Sequence, residues 1–245
     1  MQYNVYITRK IAQAGIDALT AECTIEINPQ DRILTKPELI EKVRGQHGIL
    51  TLLTDKIDAD VIEAADKARV IANCAAGFDN IDIPAATERG ILVTNTPDVL
   101  TDTTAELAWA LVFAVSRRTV EADRFTRAGK FTGWSPTLFL GHDITGKTLG
   151  VVGAGRIGTA FAEKSRGFRM NVLYTDLKPN PKFERRTGGR FVSLETLLHQ
   201  SDVVSLHVPL TPQTMHLITG KELKMTKPTA ILVNTSRGQV VDEKA

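Results

Sequence analysis

A chain of 245 residues can hold one large domain or two modest ones. With 42% hydrophobic and 24% charged residues it has ordinary globular composition, which excludes a disordered, collagenous or coiled-coil chain. Lys+Arg 30 against Asp+Glu 28 give a net charge of +2 with no long block of either sign, so a nucleic-acid or membrane-surface role lacks its electrostatic footprint and a small ligand is the better expectation.

The start, MQYNVYITRK, carries no secretory core, and no apolar run approaches the ~20 residues of a membrane span, so the chain reads as cytoplasmic. Short β-branched runs then predict strands at Tyr3–Thr8, Thr24–Asn28, Gly48–Leu53, Arg69–Ala75 and Ile91–Asn95, separated by amphipathic stretches as a layered α/β lobe requires. Thr35-Lys36-Pro37-Glu38 reads as a capping box that opens a helix stopping near Gly45, and Asp58 as the cap of the next helix. Cys23 and Cys74 form no short ligand pair, so neither a disulfide framework nor a metal site is expected, and a reducing compartment fits.

Beyond Asn95 the pattern changes. Thr104–Thr119 is apolar all round, which predicts a helix that is buried or paired with another subunit, and 129–146 has no period and reads as a long irregular loop. A second α/β series follows, with strands at Thr148–Val152, Asn171–Thr175, Val203–Val208 and Ala230–Asn234 and helices at Arg156–Gly167, Ser193–Gln200 and Lys221–Met225. Asp242 and Glu243 then read as the opening of a helix at which the sequence stops, which predicts a longer protein.

The strongest chemical signal is Gly153-Ala154-Gly155-Arg156-Ile157-Gly158, which links an apolar strand to a helix. Gly153 permits the tight turn, Gly155 lets a pyrophosphate approach the backbone, Gly158 lets helix and strand pack closely, and the helix N-terminus faces the phosphates. The next strand ends at Asp176, eighteen residues past Gly158, where an acid accepts from the ribose 2′-hydroxyl and repels a 2′-phosphate. The pattern predicts a dinucleotide site that favours NAD over NADP, with Lys178 nearby to soften the preference.

Residues 73–83, 97–106, the glycine motif and 234–242 together resemble the D-isomer-specific 2-hydroxyacid dehydrogenases. Pro97–Glu106, followed by Gly129-Lys130-Phe131-Thr132-Gly133-Trp134, is most similar to their glyoxylate/hydroxypyruvate reductase and D-glycerate dehydrogenase branch. The resemblance implies a flavodoxin-like α/β substrate domain at 1–97, a Rossmann NAD-binding domain at 98–245, a homodimer, and reduction of glyoxylate or hydroxypyruvate by hydride transfer. It gives Arg237 the catalytic task of holding the substrate carboxylate and polarising the keto oxygen, which suits a fixed, forked cation.

By the same resemblance, Ala76 and Gly77 lie in a loop that grips the carboxylate, and Leu53 lines the same pocket or is a plain core leucine. Val208 and Pro209, ending a strand, flank the adenine. Thr104, Thr214 and Thr235 sit beside the cofactor, and Trp134 projects toward the partner subunit's pocket. The family's proton-donating histidine and its glutamate partner lie beyond the Asn-Thr-Ser-Arg-Gly motif, so residues 1–245 alone are expected to be inactive. None of His47, His142, His199, His207 and His216 matches the acid's position, and His207 reads as a satisfied core or cofactor-neighbour histidine.

Two rivals stand beside this reading. Phosphite dehydrogenase shares Gly-Phe-Asp-Asn and Gly-Lys-Phe-x-Gly-Trp but carries a lysine where this chain has Ala76, which argues against a dianionic inorganic substrate. A dinucleotide-sensing interaction protein without turnover is the other, and turnover of the intact protein separates it from an enzyme.

Overall fold

The computed structural model describes residues 3–245. The chain divides into two compact units, one ending at Val99 and the other beginning at Leu100.

The first unit runs β1 (Tyr3–Ile7), α1 (Gln13–Thr20), β2 (Cys23–Ile27), α2 (Lys36–Val43), β3 (Gly48–Thr51), α3 (Ala59–Ala64), β4 (Val70–Asn73), α4 (Ile83–Glu88) and β5 (Leu92–Thr94). Its strands form one parallel sheet in the order β2-β1-β3-β4-β5. That is the flavodoxin-like order, whose direction of winding reverses between β1 and β3. Local chemistry starts the helices as expected: the Thr35/Glu38 capping box opens α2, and the Asp58 carboxylate accepts from the Val61 N–H at α3. Tyr6, Leu39, Val43, Ile49, Val61, Ile62 and Ile71 form the core.

The second unit opens with two helices, α5 (Thr101–Ser116) and α6 (Thr119–Arg127). The alternating series then runs β6 (Thr148–Val152), α7 (Arg156–Lys164), β7 (Asn171–Thr175), α8 (Pro181–Thr187), β8 (Arg190–Phe191), α9 (Leu194–Gln200), β9 (Val203–Leu206), α10 (Gly220–Met225) and β10 (Ile231–Asn234). Its parallel sheet is ordered β10-β9-β6-β7-β8, the doubly wound arrangement whose switch point falls between β6 and β9. β9 is buried along its whole length, as a central parallel strand covered on both faces must be. Trp109 of α5 joins the helical layer, stacking on Phe161 with ring centroids 4.7 Å apart and donating its indole N–H to the Phe161 carbonyl at 2.9 Å.

Several expected boundaries are corrected. β3, β4 and β9 end two residues early, at Thr51, Asn73 and Leu206, because the paired ladder stops there, at Thr51 opposite Asn73 and at Val152 opposite Leu206. Leu53 therefore lies in a turn and is 41% exposed, which excludes the core-leucine alternative. Val208 and Pro209 likewise follow β9 instead of ending it. The apolar helix starts at Thr101 and stops at Ser116, and Arg118 in left-handed conformation (φ 53°) separates it from the unforeseen α6. It is not apolar-buried all round: Ala105, Ala108, Trp109 and Val112 face the core, while Leu107, Leu111 and Val115 stay exposed. The helix expected at Arg156–Gly167 tightens to a 3-10 turn after Lys164. β8, only two residues long, and α8, whose exposed face is dominated by Lys, Glu and Arg, carry no periodic signal in the sequence.

Candidate functional site

The glycine motif lies at the C-terminal end of β6, beside the switch point. Gly153 has φ +97°, and a Cβ there would lie 2.9 Å from the His207 carbonyl group and the Val208 nitrogen. A Cβ on Gly158 would overlap the Gly153 carbonyl oxygen, so only glycine lets α7 begin this close to the loop. Gly155, the N-cap of α7, has no atom within 4 Å of where its Cβ would stand. With no side chain to cap it, the first turn presents backbone N–H groups, those of Ile157 and Gly158 among them, and its positive dipole end to this open face, as a bound pyrophosphate requires. The loop fits a dinucleotide on all three counts.

Two side chains from beyond β7 hold the motif by a single residue. The Asp176 carboxylate accepts from the Ala154 N–H at 2.8 Å and from the Leu177 N–H at 2.7 Å, and the Asn180 amide donates to the Ala154 carbonyl at 2.9 Å. Asn180 also caps α8 through the N–H groups of Lys182 and Phe183, and its own N–H donates to the Tyr174 hydroxyl at 2.7 Å. Burial pushes the Tyr174 phenol up, so it stays protonated and donates to Glu184 at 2.7 Å. Asn180 was missed in the sequence, although Asn-Pro at a helix start was its signal. Asp176 itself is exposed and keeps acceptor capacity for a ribose hydroxyl. Arg156 is exposed and Ile157 part-buried on the first turn of α7.

The remaining residues expected at the cofactor follow the C-terminal ends of neighbouring strands, except Thr104, which stands part-buried in the first turn of α5. Thr214 closes the loop after β9, donating to the Pro209 carbonyl at 2.6 Å and accepting from the Thr211 N–H at 2.8 Å. Thr235, just past β10, has a buried hydroxyl without a partner among the described residues. His207 is part-buried against Phe161, with its Nε2 2.9 Å from the Ser205 hydroxyl, and burial pushes it down to about 4. It is therefore neutral at physiological pH and unsuited to donating a proton.

Arg237 stands part-buried in the turn after β10. The Asn234 side chain shapes that turn, donating to the Arg237 carbonyl at 2.8 Å and accepting from the Ser236 N–H at 3.0 Å and hydroxyl at 2.7 Å. The guanidinium donates to the Ser236 carbonyl at 3.0 Å.

In the first unit, Ala76 and Gly77 occupy the loop after β4, and Leu53 and Cys74 line a cleft of about 330 Å³ with Arg9, its ion-pair partner Asp31, Lys10, Leu52 and Thr54. This cleft stands at the C-terminal ends of β1, β3 and β4, where open α/β sheets bind ligands. Trp134 is 84% exposed in the irregular segment between α6 and β6. Among the described residues no cluster could hold a metal ion, and no helix is long and apolar enough to cross a membrane.

Residues 109–245 match the family described as D-isomer specific 2-hydroxyacid dehydrogenase, NAD binding domain. The glyoxylate reductase of Thermococcus litoralis is 50% identical over 249 residues, an alignment covering all of this chain and 75% of that protein. Among solved structures, a Thermus thermophilus protein superposes with a TM-score of 0.92 at 43% identity, covering 98% of this chain and 76% of that one. A glyoxylate reductase from Paecilomyes thermophila gives a TM-score of 0.86 at 33% identity, covering all of this chain and 76% of that one. With the doubly wound sheet, the glycine loop and its acid already in place, the chain belongs to the D-isomer-specific 2-hydroxyacid dehydrogenases, enzymes that use NAD in the reduction of 2-keto acids.

Proposed function

We propose that this protein reduces glyoxylate, or the slightly larger hydroxypyruvate, to the 2-hydroxy acid with NADH. The observation that carries the choice of substrate class is the 50% identity to a glyoxylate reductase along the whole chain. Bound NADH supplies the hydride. The protein's own work is to bind, orient and polarise, and we assign it as follows.

On the second unit, the first turn of α7 with Gly153, Gly155, Arg156, Ile157 and Gly158 receives the pyrophosphate, and Asp176 accepts from the ribose. Val208 and Pro209 flank the adenine, and Thr104, Thr214 and Thr235 line the cofactor. Thr214 contributes mainly by closing its loop, since its hydroxyl is already engaged with Pro209. Arg237 forks onto the keto acid, neutralising the carboxylate and drawing charge from the carbonyl oxygen as the hydride arrives. On the first unit, backbone N–H groups around Ala76 and Gly77 receive a substrate carboxylate and Leu53 packs on its carbon skeleton, so residues up to about 97 serve as the substrate domain. The exposed Leu107, Leu111 and Val115 on α5 and the exposed Trp134 provide the surface for a homodimer.

The test is a substrate panel on the intact enzyme: kcat/KM with NADH for glyoxylate, hydroxypyruvate, pyruvate and inorganic phosphite, in the native protein and in Arg237→Lys. Lysine keeps the charge and loses the fork, so the 2-keto acids should lose ~10²-fold or more in kcat/KM while the NADH Kd holds. Preference for phosphite or pyruvate overturns the assignment of substrate, and an unimpaired lysine variant overturns that of Arg237.

A further inference from the structure

The loop after β4 is gripped from below by asparagine side chains. Asn95, one residue past β5, donates its amide to the Ala76 carbonyl at 2.8 Å, and Asn73, the last residue of β4, donates to the Gly77 carbonyl at 2.8 Å. Across a trans peptide the carbonyl of one residue and the N–H of the next point in opposite directions. Capturing the Ala76 and Gly77 carbonyls therefore turns the N–H groups of Gly77 and Phe78 the other way. Among the described residues neither of these N–H groups has an acceptor. Two successive backbone N–H groups left without acceptors in this way are available to an anion.

The grip is itself locked. Asn73 is 2% exposed, accepts from the Thr51 hydroxyl at 2.9 Å, and donates to the Asn80 side-chain oxygen at 3.0 Å. The Asn80 amide in turn donates to the carbonyls of Leu52 and Asp55, both at 3.0 Å. One polar network thus ties the loop carrying Ala76 and Gly77 to the loop carrying Leu53.

We infer that Asn95 and Asn73 are positioning residues for substrate: by holding two carbonyls they aim the Gly77 and Phe78 N–H groups at a small carboxylate, and Asn80 fixes Asn73 in register with Leu53. The inference rests on the reading that this loop binds the keto acid's carboxylate. These side chains make backbone donors serve as a fixed anion site, a task glycine and alanine cannot perform by themselves.

The experiment measures KM and kcat for glyoxylate and the Kd of NADH in the intact enzyme. Asn95→Ala frees the Ala76 peptide to rotate and should raise KM about tenfold, the scale of losing one hydrogen bond to a charged group, with a smaller fall in kcat and an unchanged NADH Kd. Asn95→Gln, which keeps the donor, should restore part of the loss. Asn95 is only part-buried, so its variants should fold even where Asn73→Ala does not. Ala76→Asp serves as the control on the loop, because a carboxylate set beside these N–H groups must repel the substrate. If Ala76→Asp raises KM and Asn95→Ala leaves it at the native value, the positioning role is overturned and the loop keeps its function. If neither variant moves KM, the loop does not bind the carboxylate and the inference falls with it. A matched rise in KM and NADH Kd in Asn95→Ala, accompanied by a lowered Tm, would mean a general structural role and would also overturn it.

Discussion

Asp176 holds the glycine loop and, in the function proposed above, also receives the ribose, so separating these two tasks is the most informative perturbation. Its two oxygens already accept from the N–H groups of Ala154 and Leu177, at 2.8 and 2.7 Å. A carboxylate offers about four acceptor sites, so ribose hydroxyls can be added without displacing either bond. A 2′-phosphate would instead bring like charge to the same place. Two unit charges ~4 Å apart repel by ~1 kcal/mol in water and ~4 kcal/mol at an effective dielectric of 20. Asp176 is exposed, so the effect sits near the lower figure and screening reduces it further, giving a preference for NADH over NADPH of roughly 5-fold or less even at low salt. Asp176→Asn removes the charge but must turn an NH2 group toward one of the two backbone donors. NADH should then bind roughly tenfold more weakly, the scale of one lost hydrogen bond to a charged group, while NADPH gains on it until the preference nearly disappears. Asp176→Ser cannot reach Ala154, loosens the glycine loop, and should weaken both cofactors. Fluorescence titration of NADH and NADPH against each variant, at 20 mM and 500 mM salt as roughly low and high screening, reads all of these. Native protein that binds NADPH as tightly as NADH would refute the reasoning and make Lys178 the governing charge.

Three further outcomes are expected. Gly158→Ala drives a methyl into the Gly153 carbonyl, so it should cost ~1–3 kcal/mol of stability by denaturant titration and weaken NADH binding more than any substitution on the far side of α7. His207 is pushed down to about 4 by burial, so between pH 6.5 and 4 the unfolded chain binds a proton that the folded one refuses. This contribution to stability is full above pH 6.5, is lost progressively as pH falls toward 4, and amounts to as much as ~3 kcal/mol. His207→Gln should flatten Tm against pH over that window, and an unchanged slope would show that the imidazole is more open to solvent than the fold implies. Leu111→Glu places a charge in the exposed apolar face of α5 and should shift the intact protein from dimer to monomer in sedimentation velocity; a native protein that sediments as a monomer at micromolar concentration removes that interface.

Much of the molecule was legible one segment at a time. The strands β6 and β7 are legible to the residue, because short apolar runs such as Leu149 with Val151 and Val152, and Val172-Leu173-Tyr174, mark buried parallel strands, and the Thr35 and Asp58 caps are legible because capping is local chemistry. The glycine motif, the Asp176 position and the family resemblance were likewise sequence properties, since each depends on residue type and spacing along one βαβ unit. The ends of β3, β4 and β9 were not, because a strand stops where its sheet partners stop, and pairing across the sheet is invisible along the chain. The same holds for Leu53, whose type says core and whose position past the last ladder residue says surface. Only the tertiary structure brought Asn180 to Ala154, Asn234 around to Arg237, and Asn73, Asn80 and Asn95 under one loop. An asparagine amide has no periodicity and no fixed partner. Its hydrogen bonds are chosen by whichever carbonyl the fold leaves in reach, so the residue types were written in the chain and their partners were decided by the packing of the sheets.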